Sequence, residues 1–316
     1  MSRRRVLMLR PLGLGDLLTA VPAMRAVARH WPDHEKLLAT PAVLGPLAML
    51  SGAVDRVIDV QPLHPLPAEC KEPEVAIDLH GRGPASHRVL LATRPTRLIA
   101  FANTEVPGTE SFPQWREDEH EVQRWCRLLT ENGIPADPGD LGLPVPTTPA
   151  PAFARDAVAI HPGAAYPARR WPADRWVAVI RAVGPDVVIT GSAGERDLAL
   201  SIGNQAGIDA HRVVAGRTDV LELASIVAAA RLLISTDTGI AHLGTALRTP
   251  SVILFGPTAP AHWGPPPGRP WHRVLWKGRS GDANALSPDP GLLAIQSDEV
   301  LDAAASLMEA RHAVRS

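Results

Sequence analysis

One unit recurs along this chain: a short apolar run, a turn containing glycine, then an amphipathic helix. The clearest copy near the N-terminus is Val6-Leu7-Met8-Leu9, followed by Arg10-Pro11-Leu12-Gly13-Leu14-Gly15-Asp16. The clearest copy further on is Leu233-Ile234-Ser235, followed by Thr236-Asp237-Thr238-Gly239-Ile240-Ala241-His242-Leu243. Strand-then-helix alternation leaves few folds open. Parallel strands need crossover helices, and these cover both sheet faces in a doubly wound α/β domain. The predicted strands of the first half are Arg5–Leu9, Lys36–Ala39, Arg56–Val60, Val75–Leu79 and Arg97–Phe101, with helices at Asp16–His30, Val43–Ser51, Ala85–Ala92 and Glu117–Asn132. Four prolines (Pro144, Pro146, Pro149, Pro151) then mark a stiff linker. The alternation resumes with strands at Ala157–His161, Asp186–Thr190, Arg212–Val214, Leu232–Ser235, Ser251–Phe255 and Arg273–Trp276. Helices follow at Ala173–Val183, Glu195–Gln205, Val220–Ala229 and Ile240–Leu247, and the tail Ser297–Arg311 is a last helix that could pack back on the first domain. The expectation is two Rossmann-like domains, residues 1–150 and 151–316, facing a central cleft lined by the loops after the strands.

The 316 residues are enough for two cores, and 45% of them are apolar. A formal net charge of −1 gives no nucleic-acid footprint, and Arg3-Arg4-Arg5 reads as a solvated terminus. Cys70 and Cys126 are too few for a disulfide scaffold, which fits a reducing cytoplasm. Arg10 and Asp16 interrupt the one stretch that resembles a signal peptide. The uncharged run Leu37 to Val54 holds two prolines and two glycines, so no membrane span is expected.

Four strand-to-helix turns carry candidate chemistry. Gly13-Leu14-Gly15-Asp16 opens like a dinucleotide fingerprint, but Leu18 stands where the third glycine belongs. No acidic residue ends the second strand, so a nicotinamide cofactor is not expected. Asp16 reads either as a helix cap or as a carboxylate that takes a proton from a substrate hydroxyl. After His161-Pro162-Gly163 come Arg169 and Arg170, forks that suit phosphate, and either could point inward. Ser192-Ala193-Gly194-Glu195 is a capping-box pattern that could equally bind a ribose hydroxyl pair. At Asp237-Thr238-Gly239 a helix N-terminus favours an anion, with His242 one turn in. Three such turns in one half point to a nucleotide diphosphate. There is no Asp-x-Asp pair and no Cys/His cluster, so no metal or other cofactor is expected, and amides, hydroxyls and arginine would neutralise the diphosphate.

Together these motifs resemble glycosyltransferase family 9, the heptosyltransferase-like enzymes. The resemblance rests on Leu9-Arg10 with Gly13-Leu14-Gly15-Asp16 and Ala20-Val21-Pro22-Ala23. It rests also on His161-Pro162-Gly163 with Arg170-Trp171-Pro172, on Gly191-Ser192-x-x-Glu195, on Ser235-Thr236-Asp237-Thr238-Gly239-x-x-His242-Leu243, and on Phe255-Gly256-Pro257-Thr258. It implies a GT-B fold with the donor on the C-terminal domain and the acceptor on the N-terminal one. It implies inverting transfer from a nucleoside-diphosphate sugar, ADP-linked heptose in the best-known members, to a hydroxyl of a glycan or lipid-linked acceptor. Asp16 would be the general base, Thr238 and Gly239 the diphosphate holders, Glu195 the ribose ligand, and Arg169 the basic residue that is often lysine in the family. Gly13, Gly15 and Arg82 fall on the acceptor side, with the loops His80–Gly83 and Asn103–Trp115. Two positions depart from the family pattern: Ala259 replaces the usual aspartate, and Pro11-Leu12-Gly13-Leu14 replaces the usual hydroxylated residues before Gly-Asp. A lipid-linked acceptor would bring the protein into peripheral contact with the inner membrane surface. The competing expectations are an epimerase or hydrolase of the same fold, and a nucleotide-sugar binder without turnover.

Overall fold

The structure is a computed structural model that describes residues 4–315, with side chains to residue 310; Arg3 lies outside the described residues. The chain divides into two compact units, Met1–Leu141 and Gly142–Ser316. In the first, β1 (Arg5–Leu9), β2 (Glu35–Thr40), β3 (Arg56–Asp59), β4 (Val75–Asp78) and β5 (Arg97–Ile99) form one sheet in the order β3-β2-β1-β4-β5. Every pairing is parallel. Val6 to Leu9 are buried, as a central strand covered on both faces requires. The helices are α1 (Leu14–His30), α2 (Gly45–Leu50), α3 (Ala85–Leu91) and α4 (Glu121–Thr130). Every residue of α1 from Leu17 to Met24 is buried, so this part of the helix is covered all round.

The second unit holds β6 (Val158–His161), β7 (Val187–Ile189), β8 (Leu232–Thr236), β9 (Ser251–Leu254) and β10 (His272–Leu275) in the order β10-β9-β8-β6-β7, again parallel throughout. Its helices are α5 (Ala173–Val183), α6 (Arg196–Ala206), α7 (Val220–Ala229), α8 (Gly239–Ala246), the short α9 (Pro260–Trp263) and α10 (Pro290–Leu293), and α11 (Ser297–Arg315). Val300, Ala304 and Leu307 of α11 enter the core of this same unit, beside Trp176, Ile180, Ile234 and Val252.

Both strand orders reverse direction once. The first unit reverses between β1 and β4, the second between β6 and β8. Adjacent crossovers leave on opposite faces at such a point and open a crevice beyond the strand carboxyl ends. Arg10 to Asp16 follow β1, His161 closes β6, and Asp237 follows β8, so the candidate turns sit at the two reversals.

Several boundaries differ from the sequence expectation. Arg212–Val214 is not a strand. A 3-10 turn covers Ala210–Arg212, and Val213 makes only an isolated parallel bridge to Ile189. The ladder stops after Val214 and Gly216 donate to Ile189 and Gly191, because Gly216 turns away with φ +67 against Ala193. Helix α4 starts at Glu121 rather than Glu117, where the His120 ring accepts the Val122 amide. The proline-rich stretch is tied to the second unit: Leu143 donates to the Ala246 carbonyl, and the Thr148 carbonyl accepts from Ser225. Cys70 and Cys126 are buried free thiols. Among the described residues no helix is long and apolar enough to cross a membrane.

Candidate functional site

In the second unit three strand ends converge. His161 closes β6 in register with Ser235 of β8. Its Nδ1 lies 3.0 Å from the hydroxyl of Thr190, just past β7, and its Nε2 lies 3.9 Å from Glu195 Oε2. Burial pushes the imidazole below its usual range and Glu195 acts against this, so His161 is neutral at pH 7. Glu195 is held by the capping box: the Ser192 amide donates to Oε2 at 2.7 Å and the Ser192 hydroxyl at 2.8 Å. Burial would raise its pKa, but His161, the Ser192 bonds and Arg170 outweigh burial and keep it below the ordinary carboxylate range. Gly163 makes this packing possible, since a Cβ there would fall 2.2 Å from the Glu195 carboxyl carbon.

Residue Thr238 is the N-cap of α8, yet its side chain does not cap the helix. Asp219 and Asp289 cap α7 and α10, whereas α8, like α5 and α6, has no side-chain cap bond, and its Ala241 amide donates to the Thr238 carbonyl at 3.0 Å. Arg169 reaches the α8 terminus: Nη1 approaches the Asp237 carbonyl at 3.5 Å, and Nε is buried with no partner. The hydroxyls of Ser235 and Thr236 are also buried without partners. Burial raises the Asp237 carboxyl to about 6, against the pull of Arg169 and of a hydrogen bond from Thr258. The two arginines thus separate. Arg169 faces the β8 end, whereas Arg170 bonds the Ala164 carbonyl at 2.9 Å and bears on Glu195. His242 stacks edge-on against Trp263, with ring centroids 5.7 Å apart.

In the first unit Asp16 is not the N-cap of α1. Gly13 is, and Asp16 occupies the third helical position. From there Oδ2 accepts the Gly13 amide at 3.2 Å, while Oδ1 lies 3.4 Å from Arg10 Nη2. The Asp16 side chain is 29% exposed and the Arg10 side chain 0%. Arg10 is a residue that sequence reasoning used only as part of a motif. Its guanidinium donates to the Leu79 carbonyl, to the Asp16 carbonyl at 3.0 Å and to Glu121 at 2.9 Å. Glu121 lies 111 positions away along the chain, and no local pattern could have joined the two. Beyond Leu79, the half-buried ring of His80 feels the charges of Asp78, Arg10 and Asp16, and burial holds it neutral. Gly15 lies in the first turn of α1. Arg82 stands apart, 67% exposed and paired with Glu117 at 3.0 Å. Among the described residues no group of three His, Cys, Asp or Glu side chains is placed to hold a metal ion.

Residues 87–280 match the family model of glycosyltransferase family 9 (heptosyltransferase). Lipopolysaccharide heptosyltransferase 1 of Pseudomonas aeruginosa is 39% identical over 74 residues, 23% of this chain, and the match spans only 20% of that relative. Two solved structures are alike over nearly their whole length. E. coli ADP-heptose LPS heptosyltransferase II has a TM-score of 0.77 at 20% identity, covering 98% of this chain and 99% of the other. E. coli heptosyltransferase WaaC with ADP has a TM-score of 0.66 at 18% identity, covering 96% and 99%. At such identities the likeness is one of fold, the GT-B type. The family match takes in β6 through β10 and the turns at His161, Glu195 and Asp237. The chain belongs to glycosyltransferase family 9.

Proposed function

We propose that the protein is an inverting glycosyltransferase, independent of metal, that moves a heptose-type sugar from an ADP-linked donor to a hydroxyl of a glycan or lipid-linked acceptor. The structural relatives are an ADP-heptose LPS heptosyltransferase and a heptosyltransferase with ADP, and the curated relative is a lipopolysaccharide heptosyltransferase. On this reading residues 142–316 serve the donor and residues 1–141 the acceptor. The observation that carries it is the uncapped N-terminus of α8 beside the partnerless Nε of Arg169. Helix-end amides and a guanidinium together neutralise a diphosphate without a divalent ion. Thr238 and Gly239 cradle the phosphates. Both Ser192 bonds go to Glu195 Oε2, which leaves Oε1 for the ribose hydroxyls, with His161 beside it. His242 and Arg170 border the same pocket.

The transfer then runs as one displacement. Asp16 takes the proton of the acceptor hydroxyl as that oxygen bonds to the anomeric carbon. The bond from the anomeric carbon to the diphosphate oxygen breaks, and its electron pair leaves with the nucleotide. Inversion follows from attack opposite the leaving group. The exposed Arg82 and the glycines Gly13 and Gly15 belong to the acceptor side, and a lipid-linked acceptor implies work at the inner membrane surface. The test is a thermal-shift panel of ADP, GDP, UDP and ADP-heptose. ADP and ADP-heptose should raise the melting temperature most, since a ligand specific to the folded state stabilises by mass action. Equal or absent shifts with all four would overturn the donor assignment.

A further inference from the structure

The buried pair Arg10 and Glu121 has a geometry that core packing does not require. The Arg10 side chain is 0% exposed and that of Glu121 7%. Apolar residues of similar volume often replace a buried ion pair at no loss of stability. Instead, one guanidinium joins three elements. It bonds the Leu79 carbonyl beyond β4 and Glu121 Oε1 in α4, and it grips Asp16 in α1 on both its carbonyl and its carboxylate. Its Cζ lies 4.7 Å from the centroid of the Trp125 ring, and Trp125 Nε1 donates to the same Glu121 oxygen at 2.8 Å. Arg124 bonds the other Glu121 oxygen. Groups other than Asp16 thus also hold the guanidinium. With the Gly13 amide on Oδ2 and Arg10 on Oδ1, both oxygens of the Asp16 carboxylate are held, although that side chain is partly exposed.

We propose that Arg10, clamped by Glu121 and Trp125, is a positioning residue that aims the Asp16 carboxylate at the acceptor hydroxyl. This rests on Asp16 being the base. A planar fork can hold a carbonyl and a carboxylate together, which an ammonium cannot. Misplacement of a reacting group by about 1 Å can cost roughly 10²-fold in rate.

Arg10→Lys keeps a cation for Glu121 and loses the fork. With ADP-heptose as donor and heptose-deficient lipopolysaccharide as acceptor, it should lower kcat roughly 10- to 100-fold, leaving KM for ADP-heptose within about twofold. In an Asp16→Asn background the same change should alter the residual rate by less than about twofold, because its effect passes through the missing carboxylate. Glu121→Gln should show the same pattern more weakly, and it carries the test if Arg10→Lys does not fold. An equal cost in both backgrounds, or a lowered melting temperature with unchanged kcat, would overturn the positioning role alone. Near-wild-type turnover of Asp16→Asn by itself would overturn the base assignment, and this inference with it.

Discussion

Asp237 keeps a carboxyl group where the second unit has almost no water: the residue is 6% exposed. Its pKa rises from 3.8 to about 6, chiefly through burial. The folded chain therefore holds a proton that the unfolded chain releases between those values, and stability falls as pH rises through about 6. The ionised group costs on the order of 3 kcal/mol above that pH. Asp237→Asn still accepts from Thr258 and removes the charge. It should raise the melting temperature by several degrees at pH 8 and by less at pH 5, read by calorimetry; a difference independent of pH would contradict this origin. Gly163 is the second residue whose role is local. A Cβ there meets Glu195 at 2.2 Å and forces it off the Ser192 amide. Gly163→Ala should weaken ADP binding roughly tenfold, the worth of about one charge-assisted hydrogen bond, with the fold kept. Unchanged affinity by titration calorimetry would remove Glu195 from the ribose site.

At the scale of elements, α8 aims its amides because Gly244 lets it lie close to β8. A Cβ at Gly244 would come 2.8 Å from Leu233 Cδ2. An exposed helical glycine gains up to about 1 kcal/mol on change to alanine, but overpacking here should cost about 1–3 kcal/mol. Gly244→Ala is therefore expected to lower the urea midpoint and weaken ADP binding together; a stabilised variant would show that the contact relaxes freely. The same element shows what sequence could reveal. Leu232–Ser235 was legible as a strand because a parallel strand covered on both faces is apolar without interruption, and the Asp-Thr-Gly turn announced the helix start. The Ser192–Glu195 pattern was legible because a capping box is local. Local rules fail where partners are distant. Nothing near Arg10 foretells Glu121, and nothing near Glu195 foretells that Gly163 must clear space for it. Arg212–Val214 read as a strand because two β-branched valines follow the arginine, yet its edge position and the turn at Gly216 leave it two ladder bonds.

For the whole molecule, two sheets with different strand orders place their candidate turns at two reversal points. On the proposed reading the second unit offers amides and Arg169 to an anion, and the first offers a held carboxylate. Charge neutralisation by these groups predicts that chelation with EDTA leaves the transfer rate unchanged, and loss of activity restored by a divalent ion would contradict it. The central claim is that Asp16 takes the acceptor proton while the second unit holds the donor. The direct measurement is ADP release and sugar transfer from ADP-heptose to heptose-deficient lipopolysaccharide, for the wild type and Asp16→Asn, with ADP affinity measured alongside. The account predicts one sugar transferred per ADP, with inverted anomeric configuration. It predicts a loss in Asp16→Asn of roughly 10²–10⁴-fold, as expected for a positioned base, with ADP affinity unchanged. Near-wild-type transfer by Asp16→Asn, or ADP release without transfer in the wild type, would contradict it.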